Sequence, residues 1–332
     1  MLRNVMLLIC GIPLLTCACD AAETAKSPSG SSGEMIYRSA SAASVEILVA
    51  GRLTGSGWLA HQDGLVVTAA HAVWKLKDKR IDVRSSTLGR IRAKLIAMDR
   101  GHDIALLKLT GRKEPFPFLK IADRAPLPGE DVYLFGAALF RHELMIKGAM
   151  ARMKPTFEYL ANQKTYIRIF HIGAPSPPGT SGGCWLDSQG RVFGNQSAFM
   201  SRNGVGLGVA MVAPPDAIAR LVKTRKSAST PTADTAFEEL WSQSQAFIKR
   251  FPQDITGVVP VLTVKGGVAD KAGLKGDLLI TSIDGRKIVD RDNFMRYLRT
   301  KKPGTEVTFK VMTPDKHESR GITIKLSELE SR

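Results

Sequence analysis

The chain has 332 residues, of which 44% are hydrophobic. A chain of this length and hydrophobic content is larger than a single core normally holds, so at least two globular units are expected. Three of the four cysteines lie within the first nineteen residues, which leaves Cys184 as the only thiol expected in the globular part, so no intramolecular disulfide is predicted there. The formal net charge of +16 comes without a recognisable nucleic-acid-binding motif, which disfavours DNA or RNA as a partner.

The first nineteen residues have the pattern of an export signal. Arg3 precedes an apolar run at 5–15 that is too short to anchor the chain across a bilayer. Cys19 follows a small residue and is a candidate lipidation site, so both a lipoprotein and a simply cleaved form stay open. We therefore predict a signal at 1–19, a flexible segment at 20–35 and a location in the periplasm or cell envelope.

Downstream of this segment, the chain has three residues that can form one catalytic unit. His71 follows Val67-Thr68-Ala69-Ala70, Asp103 precedes an apolar run, and Ser181 lies in Gly179-Thr180-Ser181-Gly182-Gly183. A serine hydroxyl becomes nucleophilic when an imidazole takes its proton and a carboxylate orients that imidazole. The order His, Asp, Ser differs from that of α/β-hydrolases and subtilisins. It predicts a mostly β, chymotrypsin-like double β-barrel over 36–222.

Each of the three residues alone has an ordinary structural interpretation, as a packed histidine, a strand-initiating aspartate or a turn serine. Their order and flanking residues favour the catalytic interpretation. Gly179 lets the backbone turn so that the N–H groups of Gly179 and Ser181 form an oxyanion hole. No histidine shows metal-ligand spacing, so we expect catalysis without metal or cofactor.

Two short segments are expected to bind substrate. Pro175 and Ser176 precede the nucleophile in a stretch without acidic residues, which favours small or medium apolar side chains over Lys or Arg in the pocket. Gln196, Ser197 and Ala198 are predicted to form a strand edge that pairs with the substrate backbone.

A second unit follows a basic, Ser/Thr-rich linker at 223–235. Thr235 and Glu238 have capping-box spacing, and apolar residues follow, so a connecting helix is predicted at 236–252. From 253 to 328 the chain shows an extended run, Ala-Gly-Leu, Gly-Asp, an Asp284-Gly285 turn and a short helix.

These motifs together resemble the HtrA family of trypsin-like serine proteases. The match runs over about 36–328 and includes Gly55-Ser56-Gly57-Trp58, the Ser181 motif and, at 253–328, an α+β PDZ domain. The resemblance implies an endopeptidase that degrades misfolded or mislocalised envelope proteins, and a homotrimer or higher homo-oligomer. The family's Gly-Asn-Pro turn is replaced here by Gly136-Ala137-Ala138, which puts loop regulation in doubt.

A PDZ domain implies that C-terminal peptides bind by adding a strand to a sheet. The candidate carboxylate-binding loop is Ile255-Thr256-Gly257-Val258, although Pro260 removes a donor from the strand that follows. A purely structural role for this domain stays open.

Two other functions stay open for the whole chain. One is that of a chaperone or adaptor that keeps the fold without catalysis, and the other is that of a signalling protease of narrow specificity. A basic run between His71 and Asp103 suggests contact with an anionic membrane or cell-wall polymer, with a solvated face as the simpler explanation. Its members are Lys75, Lys77, Lys79, Arg80, Arg84, Arg90, Arg92 and Lys94.

Overall fold

The computed structural model describes residues 32–74, 80–111 and 115–329. The predicted signal at 1–19, Cys19 and most of the segment at 20–35 lie outside the described residues. Residues 32–35 do not form a flexible segment as predicted, because they begin helix α1 (Ser32–Ala43), whose Ile36, Ala40 and Ala43 are buried. Within the described part of the chain, no helix is both long and apolar enough to cross a bilayer.

The first half of the protease region is a closed barrel of six antiparallel strands in the order β1-β2-β3-β6-β5-β4. The strands are β1 (Ser44–Val49), β2 (Arg52–His61), β3 (Leu65–Ala69), β4 (Ile81–Ser85), β5 (Gly89–Asp99) and β6 (Ile104–Thr110). Trp58, Leu59 and Leu65 are fully buried in its core. β3 pairs with β6 so that Ala69 lies opposite Ile104, which brings the residues after β3 beside the turn before β6.

The second half forms a sheet of seven strands in the order β13-β12-β11-β7-β8-β10-β9. They are β7 (Asp131–Gly136), β8 (Leu144–Met150), β9 (Thr156–Leu160), β10 (Thr165–Gly173), β11 (Cys184–Leu186), β12 (Val192–Arg202) and β13 (Val205–Ala213). β13 also pairs with β10, which closes six of these strands into a second barrel and leaves β9 outside it. The predicted double β-barrel is confirmed. Helix α3 (Pro215–Thr224) follows and buries Ile218 and Leu221 against the first barrel.

The remaining chain folds as an α+β domain around a sheet in the order β15-β16-β17-β19-β20, with β18 beside β17. A separate pair, β14 with β21, completes the strands of this region. The strands are β14 (Pro231–Thr232), β15 (Thr235–Glu239), β16 (Val258–Thr263), β17 (Leu279–Ile283), β18 (Arg286–Lys287), β19 (Glu306–Met312), β20 (Ser319–Lys325) and β21 (Ser327–Glu328). Its helices are α4 (Gln245–Ile248), α5 (Val268–Lys271) and α6 (Arg291–Arg299). Phe294, Met295 and Leu298 of α6 are buried, as their helical spacing predicts.

The predicted connecting helix at 236–252 is wrong. Thr235–Glu239 is strand β15, a short 3-10 turn covers Leu240–Ser242, and only Gln245–Ile248 is helical. The apolar residues therefore do not share one helical face. Phe237 lies in the core of the α+β domain, and Trp241 is 74% exposed. Pairing of β15 with β16 outweighs the local capping signal because it satisfies the backbone of both strands.

The linker at 223–235 is shorter and better fixed than predicted. α3 extends to Thr224, and β14 begins at Pro231. Between them, the N–H of Ala228 donates to the carbonyl of Met98 (2.9 Å), and the Ser227 hydroxyl accepts from the N–H of Met98 (3.1 Å). The exposed Ser/Thr-rich segment is thus hydrogen-bonded to the end of β5 in the first barrel.

Candidate active site

His71 and Asp103 meet in the first barrel. His71 lies in the single-turn helix α2 (Ala70–Val73) after β3, and Asp103 lies in the turn between β5 and β6 with φ +54°. The carbonyl of Asp103 accepts from the N–H of Ala70 (3.0 Å) and thereby joins the two segments. The imidazole Nδ1 lies 2.7 Å from Asp103 Oδ2, and the N–H of His71 donates to Oδ1 (3.0 Å). One carboxylate thus fixes both the backbone and the ring of His71.

Burial disfavours the charged form of both groups, but their pairing outweighs it. Burial tends to lower the pKa of His71, and the adjacent Asp103 carboxylate raises it above its ordinary value overall. Asp103 is fully buried, yet His71 and the hydrogen bonds from His71 and Ser197 hold its pKa below the usual range. The pair is therefore arranged to stabilise an imidazolium during a reaction.

We expect kcat/KM to fall on the acid side with an inflection above about 6.5, the pKa of a free imidazole. Protonated His71 cannot accept a proton from Ser181, and the raised pKa keeps His71 protonated to a higher pH. A pH profile of peptide hydrolysis measures this inflection. An acid limb at or below the ordinary imidazole pKa would contradict the prediction.

The nucleophile loop is anchored to both barrels. The carbonyl of Ser181 accepts from the N–H of Ser56 in β2 (2.8 Å), and the N–H of Gly182 donates to the carbonyl of Gln196 in β12 (2.7 Å). Gly182 has φ +85°, and a Cβ there would lie 2.2 Å from the carbonyl oxygen of Ser56. Only glycine fits this approach, which places Ser181 at the seam between the barrels.

Gly179, the predicted oxyanion-hole glycine, is fixed by its neighbours on both sides. It has φ +95°, and its carbonyl accepts from the Ser56 hydroxyl (2.8 Å). The carbonyl of Pro178 accepts from the N–H of Leu139 (2.6 Å). Ser56 also accepts from the N–H of Ala137 (2.9 Å), so the Ala137–Ala138 segment that departs from the family pattern packs directly on this loop. Both peptide groups that flank Gly179 thus have their carbonyls engaged elsewhere.

His71 and Ser181 line a common cavity of about 620 Å³. Of the predicted substrate-binding residues, Ser176, Gln196, Ser197 and Ala198 line this cavity. Pro175 lies instead in an adjoining cavity of about 320 Å³, which Ser176 also lines. The described lining of both cavities contains no Asp or Glu.

Sequence reasoning missed two roles. Ser197, predicted only as part of a substrate-binding strand edge, donates its hydroxyl hydrogen bond to Asp103 Oδ2 and is a further partner of the triad carboxylate. Gln196 accepts from the indole N–H of Trp185 (2.8 Å), which holds the neighbouring strand. The spacing of residues around Ser197 carries no signal for the Asp103 contact, because that contact depends on how the two barrels meet.

The predicted carboxylate-binding loop Ile255-Thr256-Gly257-Val258 is not supported by the topology. The strand after it, β16, is internal, because β15 pairs along one side of it and β17 pairs with Val258 on the other. The carbonyl of Gly257 accepts from the N–H of Leu240 (3.1 Å). The prediction is wrong because β15 was expected to be helical, which would have left β16 as the edge.

β15 is the edge strand on this side of the sheet, and the protease domain covers it. The hydroxyl of Tyr166, in β10, bonds to both the carbonyl (2.5 Å) and the N–H (2.6 Å) of Phe237. On the α6 side, Asp292 accepts from the hydroxyl of Thr156 (2.7 Å), and Arg299 donates to the carbonyl of Tyr166 (2.5 Å). The hairpin β9–β10 therefore contacts both β15 and α6. Its turn, 159–163, also lines the cavity that contains Ser181.

The comparisons with known proteins agree with this geometry. Residues 55–194 match the model of the trypsin-like peptidase domain, and residues 241–326 match that of the PDZ domain. The chain is 26% identical over 300 residues to the chloroplastic protease Do-like 1 of Arabidopsis thaliana, covering 85% of this chain and 65% of that protein. It is 27% identical over 275 residues to a probable periplasmic serine endoprotease, DegP-like, of Pseudomonas putida strain W619, covering 81% and 55%.

Solved structures share the fold over nearly the whole chain. The HtrA-type protease AlgW with a decapeptide has a TM-score of 0.63 at 16% identity, covering 90% of this chain and 99% of that one. The serine endoprotease from Yersinia pestis has a TM-score of 0.59 at 18% identity, covering 91% and 99%. The fold and site thus define a trypsin-like serine peptidase domain joined to a PDZ domain. Over both domains the chain is similar to DegP-like and HtrA-type proteases, and it spans between half and two thirds of the curated relatives just named.

Proposed function

We propose that the protein is a serine endopeptidase that works through an acyl-enzyme. The observation that carries this proposal is that His71, whose Nδ1 lies 2.7 Å from the Asp103 carboxylate, lines the same cavity as Ser181. Ser181 attacks the peptide carbonyl, and His71 accepts its proton and delivers it to the leaving amine. The N–H groups of Gly179 and Ser181 stabilise the oxyanion, and water then releases the acyl group.

The lining of the cavities supports apolar cleavage sites. A Lys or Arg side chain of a substrate would meet no carboxylate there, and burying it unpaired would be costly. Phe199 and Pro178 line both cavities and provide apolar contact instead. Pro175, Ser176, Gln196, Ser197 and Ala198 are the proposed substrate-binding residues.

The physiological substrates we propose are misfolded or mislocalised proteins of the cell envelope. The name of the Pseudomonas putida relative, a probable periplasmic serine endoprotease, supports an exported location. Hydrolysis of casein, which has no stable fold, against hydrolysis of native lysozyme, which is folded and disulfide-bonded, tests this. Cleavage of a single native protein with no activity on casein would favour the narrow-specificity alternative.

Covalent labelling with a fluorophosphonate, followed by mass spectrometry of the adduct, tests the catalytic proposal. We expect one adduct at Ser181 and none in Ser181→Ala. Absence of labelling, with unfolded protein or C-terminal peptides added as activators, would favour a chaperone or adaptor that keeps the fold without catalysis.

We further propose that a C-terminal peptide binds the PDZ domain along β15, where it must displace the hairpin β9–β10. Peptides bind PDZ domains by adding a strand to a sheet edge. The Tyr166 hydroxyl contacts the N–H and the carbonyl of Phe237, the same groups that a residue of an added strand would contact. Because the turn of this hairpin also lines the Ser181 cavity, displacement would alter access to that cavity.

Tyr166→Phe is expected to tighten binding of a short labelled peptide that ends in valine, by about tenfold or ~1.4 kcal/mol. The change frees both backbone groups of Phe237 and keeps the buried ring in place. Fluorescence anisotropy measures the affinity. Tyr159→Phe is the matched control, because Tyr159 packs edge-on against Tyr166 at 5.1 Å in the same hairpin. Equal affinities for the two variants and the unmodified protein would count against β15 as the binding edge.

The homotrimer, the lipid at Cys19 and contact with an anionic surface stay predictions. The described part of the basic run has a cluster of arginines that bears on the contact with an anionic surface. Arg80, Arg90 and Arg92 all pair with the buried carboxylate of Asp82, at 2.8, 2.6 and 3.1 Å, and remain about half exposed. Three guanidinium groups around one carboxylate leave a net positive patch, which supports contact with an anionic membrane or cell-wall polymer.

A further inference from the structure

A small cavity of about 130 Å³ lies where the protease region, the linker and the PDZ domain meet. Asp99 lines it from the end of β5, and His102 from the turn before Asp103. Three arginines complete the set: Arg168 from β10, Arg220 from α3, and Arg299 from the last turn of α6. Linker residues 228–231 complete the wall. Nothing in the proposed peptidase mechanism uses this cavity.

The three arginines of the cavity are not equally neutralised. Arg220 pairs with Asp99 at 2.5 Å and Arg168 pairs with Asp216 at 2.8 Å. Arg299 donates to the carbonyl of Tyr166, and among the described residues no carboxylate oxygen lies within 4.0 Å of its guanidinium. Burial lowers the pKa of Arg299 to about 10, so the group stays charged at neutral pH. The Asp99 carboxylate attracts this guanidinium from beyond that distance. The cavity therefore holds a cation without a direct ion-pair partner among the described residues.

Three buried polar atoms of the cavity residues also have no partner within the described structure. They are Nε of Arg299, Nε2 of His102 and Oδ1 of Asp99. Burial tends to raise the pKa of Asp99, but His102 and Arg220 lower it to about 2, so this carboxylate is ionised at neutral pH. A buried polar group without a hydrogen bond costs about 1–3 kcal/mol. A ligand that satisfies all three must accept hydrogen bonds from nitrogen and donate one to an oxygen.

We propose that this cavity binds inorganic phosphate, held as hydrogen phosphate between Arg299, His102 and Asp99. Its bare oxygens accept from the guanidinium of Arg299, and its hydroxyl donates to Asp99 Oδ1. His102 donates Nδ1–H to Asp99 (3.0 Å). Because the single hydroxyl of hydrogen phosphate is used by Asp99 Oδ1, the imidazole is charged in the complex, and its Nε2–H donates to a bare phosphate oxygen. The cavity has the volume of about four water molecules at ~30 Å³ each, which suits an anion with four oxygens.

Sulfate tests the role of the proton. At neutral pH it has the shape of phosphate but no hydroxyl, so it would place a bare oxygen against the ionised Asp99 carboxylate. The dianion of glycerol phosphate lacks the proton as well. Hydrogen phosphate is therefore expected to bind more tightly than either.

The bound anion would strengthen the contact between the PDZ domain and the turn that carries Asp103. Gly101 in this turn approaches α6 so closely that a Cβ would lie 2.5 Å from Nη1 of Arg299. The carbonyl of Gly101 accepts from the N–H of Arg168 (2.9 Å), another cavity residue. A phosphate in the cavity is thus held by residues of both domains, one of which, His102, directly precedes Asp103 in the chain.

Isothermal titration calorimetry on the purified protein, at neutral pH and constant ionic strength, tests the proposal with inorganic phosphate, sulfate and glycerol phosphate. We expect one phosphate per chain, bound at least about tenfold more tightly than the other two anions. Arg299→Gln should weaken phosphate binding by about tenfold or more, and the exposed Arg296→Gln on the same helix should leave it unchanged. The unmodified protein should also show a higher Tm in phosphate than in sulfate.

Asp99→Asn gives a second readout if Arg299→Gln fails to fold. Its amide can donate to a bare oxygen, so the preference for phosphate over sulfate should disappear. The proposal is wrong if phosphate does not bind at about 10 mM, if sulfate binds equally well to the unmodified protein, or if Asp99→Asn keeps the preference. Binding of glycerol phosphate as tightly as inorganic phosphate would also contradict the hydrogen bond from the phosphate hydroxyl to Asp99. It would indicate that the cavity binds phosphate esters instead.

Discussion

Asp103→Asn is expected to lower kcat by about four orders of magnitude while the protein stays folded. In the structure, three donors converge on the Asp103 carboxylate: the N–H of His71, the Nδ1–H of His71 and the hydroxyl of Ser197. An amide has one acceptor oxygen in place of two. If that oxygen accepts from the His71 backbone, the NH₂ group faces Nδ1 and selects the tautomer whose Nε2 carries the proton. Such an imidazole cannot deprotonate Ser181.

Steady-state hydrolysis of an apolar peptide substrate measures this loss, with circular dichroism to confirm the fold. Asp123→Asn is the control, because Asp123 is an exposed carboxylate away from the cavity that contains Ser181. KM is expected to change little, since Asp103 is fully buried. A folded Asp103→Asn protein whose kcat stays within about tenfold of the parent would contradict the assigned role.

The three candidate catalytic residues could be picked out from sequence because each has a local signature. His71 follows a buried strand, Asp103 precedes another, and Ser181 lies among glycines that the loop geometry requires. The order along the chain then selects the fold, which the two barrels confirm. The pairing of β3 with β6, which brings His71 and Asp103 together, follows from that fold.

The region from 235 to 252 shows where local signals fail. Thr235 and Glu238 have the spacing of a helix cap, worth on the order of 1 kcal/mol. The same segment as a strand pairs with β16 from Thr235 to Glu239 and buries the ring of Phe237 against Phe294. That gain depends on residues 19 to 57 positions away, so a short sequence window does not contain it. The error at β15 then produced the error in the peptide-binding loop.

The supporting contacts of the catalytic loop were not predictable for the same reason. Ser56 accepts from the N–H of Ala137 and donates to the carbonyl of Gly179, although it lies 123 positions before Gly179 in the chain. Ser197 reaches Asp103 across the seam between the barrels. Serine at these positions has no pattern that distinguishes it from an ordinary strand residue. Such roles emerge only when the barrels are placed against each other.

Gly179→Ala is expected to lower kcat by about 10²–10³-fold, the usual cost of losing an oxyanion-hole donor. A Cβ at this position would lie 2.3 Å from the carbonyl oxygen of Ala137 and 3.0 Å from the N–H of Phe140, both backbone atoms. The segment must therefore move, and φ +95° is itself strained for alanine. Movement turns the N–H of residue 179 away from the position of the oxyanion.

Gly204→Ala separates this effect from backbone strain. Gly204 also has a positive φ, +79°, but a Cβ there meets no atom of the described residues within 4 Å. It should cost about 1 kcal/mol of stability and little activity. Turnover of a chromogenic peptide and thermal unfolding, measured on both variants, distinguish the two sites. If Gly179→Ala loses no more turnover than Gly204→Ala, the N–H of residue 179 does not stabilise the oxyanion, and the charge must be stabilised by the N–H of Ser181 without it.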